Sequence, residues 1–370
     1  MCKRIVLFLI LIFFLIRCSN EKKTEFKSFT IKDNNFFKQV SFEKLSEQRV
    51  PDISFPCLYL DKGVIGVYGL DVEGERYWSI KRFNLDLKLI DEHKLNFGQG
   101  PGDIGTGGVF YSNGMNLYFH DNSLRRVSIF SRDLVFKKMV KTSAFYPITF
   151  IEKGKYFLAT ENNYRYGKKS FYDFNIISFP DFKKKLFYQL GPFWPFDEKM
   201  RLIVGSLPGF HYFYHNKNIF FLNMKKYEII VFDLEGEILL KAKLKLNVER
   251  LDDITKDKWL RAYLGNNYSK KRFTMDDKKQ FASWMIPLEK GFVIVRRNYK
   301  DFNCMKGILK GDYFDYELNF KGVVKFPCFY KNFTLTSGYF PNSIFFQEGY
   351  LYLLNEVNED YYIEKWKVAE

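Results

Sequence analysis

Internal repetition is the feature that most constrains the fold of this 370-residue chain. A short apolar run, a tight polar turn and a second apolar run follow one another six times. The six turns end at Gly63, Gly114, Gly154, Asn218, Gly291 and Gly349. Apolar runs joined by such turns are the signature of a β-hairpin. The chain is therefore predicted to be a series of related β units.

A third apolar segment follows each hairpin and sets the length of the repeat. Its anchoring positions are separated by 47, 49, 53, 86 and 48 residues: Phe83, Phe130, Phe179, Phe232, Leu318 and Trp366. Regular spacing with one longer interval predicts an all-β, six-bladed β-propeller, each blade being a four-stranded antiparallel sheet. An aromatic content of 19% favours the same class, because aromatic residues are strand formers.

The longer interval contains a segment, 247–285, whose apolar residues recur at helical rather than strand spacing. Two groups carry this pattern: Trp259, Leu260, Tyr263 and Leu264 before Gly265, and Phe281, Trp284 and Met285 after a capping box at Thr274 and Asp277. We expect a small two-helix insertion between the fourth and fifth blades, resting on one rim beside the fifth blade and partly covering the channel mouth. Its predicted rim or lid surface is Trp259, Tyr263, Tyr268 and Trp284. The alternative is an insertion that only caps a blade edge.

The stretch 26–45 precedes the first hairpin and has no blade of its own. The chain ends four residues beyond Trp366, so the last blade lacks an outer strand. We expect 26–45 to pair with the strand around Trp366, because this would close the ring and satisfy open sheet edges.

The first residues have the pattern of an export signal. Lys3 and Arg4 precede an unbroken apolar run, 5–16, which is too short to cross a bilayer as a helix. Cys18 follows shortly after this run, as in a bacterial lipobox, although Arg17 stands where that pattern has a small residue. We expect a signal peptide over 1–17, lipid on Cys18, a tether and ring-closing strand over 18–45, and the propeller over 46–370. The alternative, an uncleaved signal anchor, also places the body of the protein outside the cytoplasm.

The other cysteines and the charge favour ordinary interpretations. Cys57, Cys304 and Cys328 have no zinc-site spacing, and we interpret them as small buried side chains; a Cys304–Cys328 disulfide is the alternative. The formal charge is +15, but the basic runs are scattered along the chain, so no nucleic-acid partner is expected.

Three motifs support a resemblance to a known group. These are the stretch from Phe97 to Asp103 (FGQGPGD), the strand end from Ile230 to Gly236 (IVFDLEG), and the closing GYLY that begins at Gly349. With them the chain resembles the six-bladed β-propeller lipoproteins of bacteria, within the NHL-type and TolB-like propellers. The resemblance implies a fold and a cell-envelope location, and it implies no particular reaction.

No motif in the sequence assigns a catalytic activity, a metal or a cofactor. Gly100, Gly102 and Gly105 match a GxGxxG pattern, but a further strand follows where a nucleotide site needs a helix, so we interpret them as a blade-connecting loop. His211, Phe213 and His215 alternate along one strand and are candidate channel-lining residues. We therefore expect a binding or scaffold protein of the envelope whose ligand is a glycan, a peptide or another envelope protein. The alternative is a lactonase- or esterase-like propeller hydrolase acting at the channel mouth.

Overall fold

The computed structural model describes most of the propeller. The described residues are 25–30, 40–71, 77–105, 108–121, 123–142, 146–151, 155–162, 170–178, 181, 183–193, 202–204, 210–224, 226–245, 253–264, 269–270, 273–275, 282–296, 309–327, 344–357 and 360–370. Cys18, Tyr268, Cys304 and Cys328 lie outside them.

Six four-stranded antiparallel blades form the predicted six-bladed β-propeller. Blade one contains β3 (Ile53–Asp61), β4 (Val64–Asp71), β5 (Tyr77–Asn84) and β6 (Leu89–Asn96). Blade two contains β7 (Gly108–Ser112), β8 (Leu117–Asp121), β9 (Arg126–Phe130) and β10 (Phe136–Lys141). Blade three contains β11 (Tyr146–Ile151), β12 (Tyr156–Asn162), β13 (Ser170–Ser178) and β14 (Lys184–Phe193).

The second half of the ring repeats this order. Blade four contains β16 (Phe210–His215), β17 (Asn218–Asn223), β18 (Glu228–Phe232) and β19 (Ile238–Lys245). Blade five contains β21 (Ala282–Pro287), β22 (Gly291–Arg296), β23 (Leu309–Asp315) and β24 (Phe320–Phe326). Blade six contains β25 (Ile344–Gln347), β26 (Tyr350–Val357), β27 (Asp360–Ala369) and, as its outer strand, β2 (Ser41–Val50).

The core consists of aromatic layers between neighbouring blades. Because strand side chains alternate between the two faces of a sheet, each inner strand contributes to two layers. In β16, Tyr212 packs on Phe174 of blade three, whereas Phe213 packs on Phe292 of blade five. Many of these rings meet edge to face, an arrangement that aromatic pairs prefer.

The amino-terminal region divides between two blades. Ser41–Val50 pairs antiparallel with Asp360–Ala369, and Lys44 stands opposite Trp366. Residues 46–50 therefore belong to the closing strand, which extends past the predicted limit at Leu45. The first strand, β1 (Glu25–Thr30), instead pairs in parallel with β19 and becomes a fifth strand at the outer edge of blade four.

The insertion after blade four differs from the two-helix prediction. One helix, α1 (Asp253–Leu264), is present among the described residues. The second predicted helix is wrong, because Thr274 lies in β20 (Phe273–Met275) and Trp284 lies in the inner strand β21. β20 pairs in parallel with β15 (Leu202–Val204). No helix in the described part of the chain is long and apolar enough to span a bilayer.

One strand anchor also needs correction. Leu318 lies in the turn after β23, and Phe314 is the residue of that strand that enters the core between blades four and five. Cys57 lies partly buried in β3, where desolvation raises the pKa of its thiol to about 12.

Candidate functional site

The two faces of the propeller carry connections of very different length. On one face, here called the turn face, first strands join second strands and, in blades one to five, third strands join fourth strands, through two to five residues. On the other, the loop face, second strands join third strands and each outer strand continues to the next blade. The four longest connections of the loop face, of 12 to 36 residues, all adjoin blades four to six: 194–209, 246–281, 297–308 and 327–343. The loop-face strand ends of blades four to six are thus the ones that carry the long connections.

Two of these long connections are joined by backbone hydrogen bonding. β15 lies in the connection that enters blade four, and β20 lies in the one that leaves it. The same outgoing connection contains α1, in which Asp257 pairs with Arg261 at 2.9 Å and with Lys270 at 3.2 Å. Leu260 of this helix is buried, whereas Ile254 is 83% exposed. The insert therefore has an anchored side and a solvent-facing side.

The predicted lid residues separate into two groups. Trp259 and Tyr263 lie in α1, within the connection that leaves the loop-face end of β19, but their side chains, like Tyr268, are outside the described residues. Trp284 was expected on the rim and is instead buried in β21, where its ring lies 4.8 Å from that of His211. The apolar run that contains Trp284 and Met285 is only a few residues long, so its spacing fits both a helix and a strand.

The structure corrects the channel-lining interpretation of His211, Phe213 and His215. All three project from one side of β16, as the alternation predicts, but that side meets blade five. Met285 N donates a hydrogen bond to His211 Nδ1 at 3.4 Å, and the His215 ring stacks on Tyr316 at 3.7 Å. Burial lowers the pKa of His211 to about 3 and also lowers that of His215. These histidines are neutral packing residues of a blade interface.

A buried ion pair lies beneath the long connections. Arg296 contacts the fully buried carboxylate of Asp312 through two nitrogens, at 2.9 and 2.5 Å, and the Tyr227 hydroxyl of blade four donates to the same carboxylate. Desolvation, together with this carboxylate, raises the pKa of Tyr227 well above its usual value. Asp312 is thus held as a paired anion that links blades four and five. A sequence signal existed, since Arg296 ends the apolar strand β22 and Asp312 lies inside β23.

The FGQGPGD stretch forms the connection from blade one to blade two, and buried charges fix its shape. Arg126 donates to the backbone carbonyls of Gly98, Gln99 and Asp103. Two carboxylates accept hydrogen bonds from backbone amides of the loop. Asp121 accepts from Gly105 N at 2.7 Å, and Asp103 accepts from Gly100 N at 3.1 Å.

Two glycines of this loop occupy positions where a side chain would clash or strain the backbone. A Cβ at Gly98 would lie 2.3 Å from Asp103 Oδ2, and Gly102 has a φ of +86°. A phosphate-binding loop needs free amides at a helix N-terminus, whereas these amides are engaged and a strand follows. The structure agrees with the interpretation as a blade-connecting loop.

Exposed lysines occupy the outer strands of the blades. Those of β10, β14 and β24 contribute Lys137, Lys138, Lys141, Lys184, Lys185, Lys321 and Lys325. Lysine on an outer strand discourages pairing with another chain, so part of the positive charge has a structural explanation. Among the described residues, no group of three or more His, Cys, Asp or Glu side chains is arranged to hold a metal ion.

Two solved bacterial structures share this fold over nearly the whole chain. One is a member of the DUF4221 family from Bacteroides vulgatus, with a TM-score of 0.53 and 12% identity over 89% of this chain and 98% of that chain. The other is a candidate exported protein from Bacteroides fragilis, with a TM-score of 0.52 and 12% identity over 93% of this chain and all of that chain. No protein-family model and no curated protein matches the sequence. At this level of identity the similarity shows a common fold.

Proposed function

We propose that the chain is an exported, lipid-anchored binding or scaffold protein of the bacterial envelope, and that its loop face binds the ligand. The observation that carries the binding role is the difference between the two faces. Short turns join the strands at one face, while longer connections start from the other. The longest of these, between β19 and β21, has 36 residues. Loops on a rigid scaffold are where binding residues concentrate, so the loop face over blades four to six is the favoured site.

The cellular location is supported by the sequence and by one structural neighbour. The apolar run 5–16 and Cys18 fit a lipoprotein signal, and the similar protein from Bacteroides fragilis is a candidate exported protein. The narrower assignment to the NHL-type and TolB-like propeller lipoproteins rests on the FGQGPGD and IVFDLEG motifs. The ligand classes that suit an envelope protein are glycans, peptides and other envelope proteins.

The binding role is tested with the mature protein on arrays of bacterial glycans and peptides. One variant replaces 247–281 with a short Gly-Ser turn; the matched control places a Gly-Ser insert between Asn216 and Lys217, on the turn face of the same blade. We expect array binding by the wild type and the control, and loss of binding by the first variant. Equal binding by all three proteins, or loss in the control alone, would contradict a ligand site on the loop face.

A further inference from the structure

The strand β1 fixes where the chain enters the propeller. Glu25 pairs with Leu240 and Thr30 pairs with Lys245, in parallel with β19. Since β19 follows a turn-face connection and runs toward the loop face, β1 runs the same way. Its first residue lies only two positions beyond Ile238, the start of β19, which is about 7 Å from the turn-face end of that strand. The start of β1 thus lies near the turn-face end of blade four.

A side-chain contact joins this strand to the neighbouring blade. Lys27 Nζ donates to the backbone carbonyl of Glu317 at 2.8 Å and to Asn319 Oδ1 at 3.1 Å. Both acceptors belong to the turn between the third and fourth strands of blade five, which is on the turn face. β1 therefore contacts two blades, through backbone pairing with blade four and through Lys27 with blade five.

The distance from the expected lipid to this strand is short. Six residues lie between Cys18 and Glu25, and the seven Cα-to-Cα steps from one to the other reach at most about 25 Å when extended. A membrane on the loop side would require this tether to run back along β19 and past the long connections. A membrane on the turn side requires no reversal.

We infer that the propeller is oriented by β1, with its turn face toward the lipid surface and its loop face directed away from the membrane. This inference rests on the proposed lipid anchor, and it adds which face is presented to partners. The site over blades four to six would then be open to ligands arriving from the side opposite the membrane.

Three labelled positions test this orientation. Single cysteines replace Glu235 on the turn face of blade four, Val135 on the turn face of blade two, and Ile254 in α1; all three residues are exposed. The background is the full acylated protein with Cys304→Ser and Cys328→Ser, while Cys57 stays because its raised pKa makes the thiol unreactive. Each protein, carrying a donor dye, is added to phosphatidylethanolamine–phosphatidylglycerol vesicles that contain headgroup-labelled acceptor lipid.

The turn-face orientation predicts efficient energy transfer from positions 235 and 135 and weak transfer from 254. Two faces separated by a strand of eight residues differ by about 26 Å in distance from the membrane. Equal transfer from 235 and 254, with little from 135, would mean that the propeller lies on its edge; the strongest transfer from 254 would mean the reverse orientation. Either result overturns the inference.

A tether variant separates the strand from the lipid. A flexible Gly-Ser insert of twenty residues before Glu25 should abolish the difference between 235 and 254, and persistence of that difference would show that β1 does not set the orientation. Flotation with the vesicles is measured in parallel. Protein that fails to float contradicts the lipid anchor, whereas protein that floats with the wrong transfer pattern contradicts only the orientation.

Discussion

At the scale of single residues, the turns between third and fourth strands combine backbone strain with burial. Leu87, Leu134 and Leu318 have positive φ values near 60°, at the place where blade four has Gly236. A side chain in this left-handed region costs roughly 1–2 kcal/mol. Each leucine is nevertheless buried, and burying a leucine contributes about 1.5–3 kcal/mol. Burial therefore outweighs strain, which explains turns that lack glycine.

This balance predicts opposite effects for two glycine substitutions. Leu318→Gly should lower the free energy of unfolding by about 1–2 kcal/mol, because the cavity and lost burial exceed the relief of strain. Lys217→Gly, at a φ of +65° on an exposed turn, should raise it by about 0.5–1 kcal/mol. Urea unfolding of both variants measures the difference. Stabilisation by Leu318→Gly would contradict the account of these turns.

The interface histidine predicts a pH dependence. Because burial lowers the pKa of His211 to about 3, the unfolded chain binds a proton near pH 6.5 that the folded chain does not. The contribution of neutral His211 is thus complete above pH 6.5 and is lost as the pH falls from 6.5 toward 3, by at most about 1.4 kcal/mol per pH unit.

His211→Asn keeps an acceptor for Met285 N and removes the titration. Its free energy of unfolding should fall less than that of the wild type between pH 7 and pH 5; the slope that remains includes His215, whose pKa burial also lowers. Urea unfolding at several pH values makes the comparison, with the values at pH 7 separating the effect of lost packing. Parallel pH profiles would contradict the neutral, buried state of His211.

At the scale of elements, ring closure depends on a carboxylate inside blade six. Glu364 is buried and accepts from Lys44 Nζ at 2.7 Å, from Trp366 Nε1 at 2.9 Å and from Asn355 Nδ2 at 3.2 Å. Partial burial acts to lower the pKa of Lys44, but its hydrogen bonds to Glu364 and Glu47 raise it overall. The closing strand is thereby attached by backbone pairing and by an ion pair.

Two substitutions in β2 distinguish the contribution of the buried partner of Lys44, which is Glu364, from that of the exposed partner, which is Glu47. Lys44→Met should cost about 2 kcal/mol of stability, because the buried Glu364 charge loses a donor. Glu47→Gln removes a partner that is 49% exposed and should cost under about 0.5 kcal/mol. Urea unfolding compares the two, and equal losses would show that the ion pair plays no special part in closing the ring.

The sequence predicted elements well where the signal was local and repeated. Hairpins around Gly63 and Gly349 could be predicted because an apolar run on each side of a tight turn has few other solutions. The second helix could not, since Trp284 and Met285 fit both periods and pairing with β22 decides between them. His211 and His215 were placed on the correct side of their strand. Their environment was misassigned because the faces of a blade meet neighbouring blades.

At the scale of the whole molecule, the ring is closed by its own amino-terminal region, and short turns join the strands at one face while the long connections start from the other. Blade one and blade six share a core layer that includes Val50, Ile65, Tyr352 and Ile363, so closure is also hydrophobic. The strand arrangement followed from the repeat. The repeat did not predict which face carries the long connections, because that depends on which ends of the strands they join.

Lipid anchoring in the bacterial envelope is the central proposal for this propeller. The intact mass of the protein purified from the membrane fraction tests it most directly. We predict a mature chain that begins at Cys18 and carries the added mass of a diacylglyceryl group, and a Cys18→Ser variant that lacks this mass and is unprocessed or no longer membrane-bound. A membrane-fraction protein that retains residues 1–17, or one that begins at Cys18 without acyl chains, would contradict the account.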